Sequence, residues 1–167
     1  MSNKFLPPLI CGFGGAVLAT VPILKSFGCC LIIPAAAVFS LMLYKKVTND
    51  SSKISGGRAF QFGILTGFFA AIFVTIIDIL ITYITKSNDL IATLPQSEIM
   101  MREMNLGPIM DESLKLLKEM AKEISTTGFS FLYTIAISIS NLITHSIFGM
   151  LGGFLGMAIL NRRNTTE

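Results

Sequence analysis

The stretch from Ala59 to Thr85 most constrains what this chain can fold into, because Asp78 is its only charged residue. A helix that crosses a bilayer needs about 20 mostly apolar residues, and this stretch exceeds that length. Three further stretches are also mostly apolar. We therefore predict an all-α integral membrane protein with four transmembrane helices, at about residues 5–24, 27–44, 59–85 and 129–160.

The composition agrees with this class. Only 14% of the residues are charged, whereas a soluble domain carries roughly 25%, and 52% are hydrophobic, with a mean hydropathy of +0.70. These values exclude a disordered or collagen-like chain and argue against a soluble enzyme. We predict a single membrane domain over residues 1–167, with one sizeable insert outside the membrane, at residues 86–128.

The charges between the apolar stretches predict an orientation. Four spans place both termini and residues 45–58 on one side, which carries seven basic and two acidic residues. The other side carries six basic and seven acidic residues. Because basic residues near the spans stay in the cytoplasm, we predict cytoplasmic termini, with residues 86–128 extracytoplasmic.

The insert has the pattern of an amphipathic helical hairpin. Pro95 is predicted to open a first helix that runs to about Asn105, and Leu106-Gly107-Pro108 is typical of a helix end followed by a new helix start. The second helix is predicted to run to about Ser125. Its apolar residues recur at spacings of four and three, which places them on one helix face: Met110, Leu114, Leu117, Ala121 and Ile124.

Five of the nine methionines lie in this insert, and three interpretations are open. They fill the contact between the two helices, they form an adaptable docking surface, or their thioethers bind Cu(I), although no His or Cys is nearby in sequence. The candidate docking face consists of Met100, Met101, Met104, Met110, Leu114 and Leu117.

Small residues recur at intervals of four along the apolar stretches. Such residues allow helix backbones to approach closely in lipid, where no hydrophobic force drives helices together. They either hold one chain together as a bundle or, on the last span, form a dimer contact, and both uses are compatible. The candidate packing residues are Gly15, Ala19, Gly63, Gly67, Ala71, Gly149, Gly152, Gly153 and Gly156.

Asp78 is the one acidic residue within a predicted span, and charged groups there are functional candidates. It lies 20 residues after Arg58, and the same count back from Arg162 reaches the neighbourhood of His145. A shared polar layer is therefore predicted, which either cross-links the helices or relays protons. Its candidate members are Asp78, Asn141, Thr144 and His145.

No catalytic pattern is present: we find no nucleophile–base–acid set, no phosphate-binding loop and no zinc-ligand spacing. We predict no enzymatic activity, no cofactor, no metal and no nucleic-acid partner. The chain is predicted to act in the lipid bilayer by association with a protein partner or as a homodimer. Its role would be that of an accessory or scaffold subunit. The alternative is a small transporter or channel component with a polar path around Asp78, Asn141 and His145.

The segment from Ile54 to Gly67, ISGGRAFQFGILTG, leads into a glycine-spaced span. A methionine- and acid-rich insert follows, and then a final span with Gly149 to Gly156 that ends in Asn161-Arg-Arg163. This arrangement resembles a family of small multi-pass inner-membrane proteins of unknown function from Bacteroidota and related bacteria. The resemblance implies a four-helix inner-membrane protein and carries over no catalytic residue.

Overall fold

The computed structural model describes residues 5–49, 52–103 and 107–163, which are almost entirely helical and contain no strand. The all-helical prediction is confirmed. The elements in chain order are α1 (Leu6–Thr20), α2 (Pro22–Phe27), a π-helical turn (Gly28–Ile32), α3 (Ile33–Thr48), α4 (Gly56–Thr85), α5 (Asp89–Glu103), α6 (Pro108–Thr127) and α7 (Phe131–Arg163).

Three of these helical segments are long and apolar enough to cross a membrane: Cys30–Thr48, Gly56–Thr85 and Phe131–Arg162. The apolar helix α1 is shorter, with 15 residues. By length and composition, the chain is therefore like a membrane protein.

The first predicted span, residues 5–24, is broken at Val21. This residue is extended, with φ −67° and ψ 126°, and ends α1 at Thr20. The cause is Pro22, whose ring disfavours the helical conformation of the residue before it and which then opens α2. The six-residue α2 thus includes residues 25 and 26, which separate the first two predicted spans.

The second predicted span, residues 27–44, contains a π-helical turn. The N–H of Ile33 donates to the carbonyl of Gly28 five residues earlier. Pro34 follows at once and has no N–H to donate, so this wider turn lies where an ordinary helical hydrogen bond is lost. The helix α3 then continues to Thr48 and ends at Asn49, which has a left-handed φ of 47°.

The two long helices begin beside serines. The hydroxyl of Ser55 accepts from the N–H of Arg58 at 3.4 Å, and that of Ser130 accepts from Tyr133 at 3.5 Å. A serine in this position satisfies a backbone donor that the helix leaves without a partner. These helix starts lie at Gly56 and Phe131, close to the predicted starts at residues 59 and 129.

The chain divides into two compact units, of which the first contains the residues up to Ile77 and from Ser138 onward. In this unit Gly15 of α1 contacts Ala36, and Gly28 contacts Ala19, so α1 and α3 are antiparallel. A buried cluster lies among α3, α4 and α7; its members are Leu41, Tyr44, Ile54, Ala59, Phe62 and Leu160.

The second unit contains Asp78–Ile137, and thus the end of α4, the helices α5 and α6, and the start of α7. The helix α5 begins at Asp89 and not at the predicted Pro95, which lies inside it. The side chain of Asn88 explains the earlier start, because its Oδ1 accepts from the N–H of Ile91 at 3.1 Å. Gly128 ends α6 with a φ of 81°, packed against the backbone of Tyr83.

Candidate functional site: the glycine-packed bundle and the helical hairpin

Glycines bring the backbones of α4 and α7 into direct contact in the first unit. A methyl group added at Gly63 would lie 2.6 Å from the carbonyl oxygen of Gly149, and one added at Gly67 would lie 2.8 Å from the carbonyl carbon of His145. The paired positions run in opposite chain directions, so the two helices are antiparallel. Gly153 continues the same line of contact toward the start of α4.

The other glycine pair of α7 faces α3. Gly152 lies against the backbone of Pro34, and a methyl group added at Gly156 would lie 3.2 Å from the Cα of Val38. Both glycine pairs of the last helix are thus occupied by helices of the same chain. A homodimer would need a surface other than the glycine face that we had considered for it.

The helix α1 completes the packing of this unit. An added methyl group at Gly12 would lie 2.9 Å from the carbonyl oxygen of Thr66 on α4. Ala71, also on α4, is buried, and Gly15 and Ala19 are buried on the side of α1 that contacts α3. The nine candidate packing residues therefore all lie buried within the first unit.

Two members of the predicted polar layer meet in the structure. Asn141 on α7 donates from Nδ2 to the hydroxyl of Thr75 on α4 at 3.0 Å. Nδ1 of His145 lies 2.9 Å from the carbonyl oxygen of Asn141. Because a carbonyl oxygen only accepts, this contact is a hydrogen bond in the tautomer of His145 that carries a proton on Nδ1. His145 and Thr75 are buried, and Thr144 is half-buried.

Thr75 is a site residue that the sequence reasoning missed. Threonines are frequent in this chain, and only the rotation of α4 about its axis shows which one faces Asn141. Its position one helical turn before Asp78 could have indicated that Thr75 lies on the same helix face as the predicted polar layer. Asp78 itself belongs to the second unit, where it is half-buried, and its pairing with His145 stays a prediction.

A second missed feature joins the segment before α4 to the end of α7. The N–H of Ile54 donates to Oδ1 of Asn161 at 2.8 Å, and Nδ2 of Asn161 donates to the carbonyl oxygen of Ile54 at 3.0 Å. One side-chain amide thus satisfies both backbone groups of a buried residue. Close to this Ile54–Asn161 pair, the Arg58 guanidinium lies 5.4 Å from the centre of the Tyr44 ring, within the range of a cation–π contact.

The structure divides the predicted docking face of the hairpin. Met110 and Leu114 are buried, Met101 and Leu117 are half-buried, and Met100 is exposed; Met104 lies outside the described residues. The buried members belong to the apolar face of α6, which also contains Ala121 and Ile124. The periodicity predicted this face, which packs inward at Met110 and Leu114. Met100, Met101 and Leu117 stay at least partly exposed.

Glu98 links the two helices of the hairpin. Its Oε1 lies 2.8 Å from Nη2 of Arg102, on the same helix, and 2.9 Å from Nζ of Lys118 on α6. The hydrogen bond from Arg102 and then that from Lys118 lower the pKa of the Glu98 carboxyl below its ordinary value of 4.5. The ionised carboxylate therefore favours the α5–α6 contact.

We expect acid to loosen this contact. A carboxyl whose pKa is lower in the folded chain stabilises it above the ordinary pKa, and this stabilisation is lost as the pH falls through the lowered pKa. Hydrogen exchange of the α5 amides, corrected for intrinsic rates, should rise below pH 4.5. The rise should be less than about fivefold, because exposed ion pairs contribute little.

Two substitutions test the assignment to Glu98. E98Q should raise the exchange of α5 at neutral pH and flatten its pH response. E112Q removes a carboxylate on exposed α6 surface and should leave both unchanged. An E98Q variant with the pH response of the unsubstituted chain would contradict the assignment.

The described part of the chain contains no group of three or more His, Cys, Asp or Glu side chains that would hold a metal ion. The predicted Cu(I) alternative rests on Met101 and Met104, of which only Met101 is described, as half-buried. The described geometry thus adds no ligand to that alternative.

Comparison with known proteins identifies a family. Residues 9–162 match a family described as proteins of unknown function, DUF4199. The match covers Ile54 and Asn161, which the structure joins, and both glycine pairs of α7. No curated protein and no solved structure matches the chain. The predicted membership of an uncharacterised family is confirmed, and the chain belongs to the DUF4199 family of proteins of unknown function.

Proposed function

We propose that this chain is a non-enzymatic multi-pass membrane protein that acts by association, as an accessory or scaffold subunit of a membrane complex. One observation carries the proposal: large apolar side chains are exposed on the hairpin, which is otherwise rich in charge. Ile109 is 74% exposed, Ile99 60% and Met100 58%. Leu116, seven residues after Ile109 and thus on the same line of α6, is 44% exposed.

This exposed set, which we call the hairpin patch, consists of Ile99, Met100, Ile109 and Leu116. Single exposed apolar residues are ordinary, whereas a contiguous apolar patch is typical of contact surfaces. The proposal takes these four side chains as one such patch. Met100 has a flexible, polarisable side chain that suits a surface which adapts to a partner. The partner that fits is the extramembrane part of a second membrane protein with an apolar contact region of its own.

The proposal includes a membrane arrangement. Four apolar helices cross the bilayer, both termini are cytoplasmic and the hairpin is extracytoplasmic. The antiparallel pairs α1–α3 and α4–α7 agree with this order, and so does the excess of basic residues in the predicted cytoplasmic segments. The partner would then be met on the outer side of a bacterial inner membrane.

A polar path for transport is the alternative, and the Asn141–Thr75 hydrogen bond inside the bundle is the observation that favours it. Two features favour the structural interpretation of the same residues. The amide of Asn141 is directly satisfied by another helix, and Gly67 brings the backbones of α4 and α7 together beside His145. Association therefore stays the first proposal.

Affinity purification of the full chain from its native membranes in mild detergent tests the proposal. We expect a partner protein at constant stoichiometry, quantified by mass spectrometry. The amount of partner that co-purifies with the variant I99S/M100S/I109S should fall at least about tenfold, because an apolar contact surface loses its driving force when its groups become polar. Its thermal unfolding midpoint should stay unchanged, since these side chains are exposed.

The control is E112S/E123S, which introduces serine at two other exposed positions of α6 and should keep the partner. A homo-oligomer whose subunits separate in the patch variant would also support association. A chain that is purified as a lone monomer, or a partner that is retained equally by both variants, would overturn the proposal.

A further inference from the structure

A cavity of about 330 Å³ lies on the hairpin beside α6. The buried side chain of Leu114 forms part of its lining, and two acidic residues, Asp111 and Glu119, also border it. Four cations outnumber these two acids, which leaves the lining with a net charge of +2. The cations are Arg102, Lys115, Lys118 and Lys122.

Glu98 orders two of the four cations. Arg102 donates to its Oε1 from Nε and Nη2, at 3.3 and 2.8 Å, and Lys118 donates to the same atom at 2.9 Å. Adding Glu98 to the count still leaves a positive cavity. In the part of the chain that the structure describes, Lys115 and Lys122 form no ion pair.

We propose that this cavity binds a phosphate group. Phosphate offers several acceptor oxygens and negative charge, which lysine ammonium groups and an ordered guanidinium recognise by charge-assisted hydrogen bonds. The volume is at the lower end of the ~300–1,000 Å³ range of small-molecule sites. It suits a phosphate that carries a small organic group, with an apolar part against Leu114.

Two sources can supply this chemistry. The helix α6 ends at Thr127, and the long apolar helix α7 begins at Phe131. A phospholipid headgroup is one source, because this short link joins α6 to a helix long enough to cross a bilayer. A soluble phosphate ester is the other source. The proposal is independent of the hairpin patch and of any protein partner.

Binding to the full chain tests the proposal in two arms. In the first, the chain in phosphatidylcholine nanodiscs is titrated with glycerol 3-phosphate and observed by ³¹P NMR. In the second, the chain is equilibrated in detergent with equal amounts of phosphatidylglycerol and phosphatidylcholine, and retained lipid is counted by native mass spectrometry. Saturable binding in the first arm identifies a soluble ligand, and preferential retention of phosphatidylglycerol identifies a lipid headgroup.

The test variant is K115Q/K122Q, and the control is K46Q/K53Q, which removes two exposed positive charges from the first unit. We expect the test variant to weaken binding at least tenfold and the control less than twofold, with unchanged helical circular dichroism in both. Wild-type chain that binds neither probe would overturn the proposal. So would an equal loss in both variants, which would indicate a general effect of net charge.

Discussion

Replacing Gly67 by alanine is expected to destabilise the bundle strongly. The added methyl group would lie 2.8 Å from the carbonyl carbon of His145 and 2.9 Å from the Cα of Ser146. These are backbone atoms of α7, which cannot rotate away as a side chain does, so the two helices must separate. Overpacking of this kind costs about 1–3 kcal/mol and sometimes more, which corresponds to a fall of roughly 2–12 °C in the unfolding midpoint of a chain this size.

Gly14→Ala is the matched control. Gly14 lies in the middle of α1 along the chain and is exposed, and a methyl group added there meets nothing within 4 Å. Alanine stabilises a helix interior by about 0.5–1 kcal/mol relative to glycine, so the midpoint should stay constant or rise. Thermal unfolding of both variants in the same detergent measures the contrast. Equal midpoints for G67A and G14A would show that α4 and α7 do not touch at Gly67.

Replacing Asn161 by alanine is expected to have the second large effect. It removes both hydrogen bonds to Ile54 at once and leaves a buried N–H and a buried C=O without partners. Each buried polar group left in this state costs about 1–3 kcal/mol. The unfolding midpoint should fall, and hydrogen exchange at the Ile54 amide should accelerate, which separates a local loss from general unfolding.

Asn88→Ala provides the comparison for this substitution. It also removes an asparagine that accepts from a backbone N–H, but Asn88 only caps α5 from the adjacent residue. Loss of such a cap costs about 1 kcal/mol, so N161A should destabilise the chain more than N88A. A smaller effect of N161A would contradict the importance of the Ile54–Asn161 pair. N161D should also destabilise, because it keeps the acceptor and replaces the donor to the Ile54 carbonyl.

The long helices were predictable because charges bound their apolar runs. The predicted spans 59–85 and 129–160 agree with α4 and α7 to within three residues at each end. The first span was not predicted correctly, because hydropathy does not reveal that Pro22 favours an extended Val21, which ends α1. The start of α5 was missed for a similar reason: Pro95 is a conspicuous helix signal, whereas the Asn88 cap depends on one local hydrogen bond.

The sequence predicted which residues lie at helix contacts better than it predicted which residue each of them contacts. Glycine spacing identified residues that lie at helix contacts, but not which partner each glycine meets. Asn141 was predicted, whereas Thr75, which accepts its hydrogen bond, depends on the rotation of α4. Ile54 and Asn161 are 107 residues apart, and no local periodicity connects them. For Met110, the pattern gave the helix face correctly and left open whether that face packs inward.

In the proposed membrane arrangement, the break at Val21 makes α1 sensitive to bilayer thickness. At about 1.5 Å per residue, its 15 residues extend only about 22 Å, against a hydrocarbon core of ~30 Å. A bilayer that surrounds α1 must therefore thin locally, or the segment Pro22–Phe27 must enter the core to complete the crossing. Either response costs a fraction of a kcal/mol per ångström of hydrophobic mismatch. In that arrangement, a thin membrane matches α1 better than a thick, sterol-rich one.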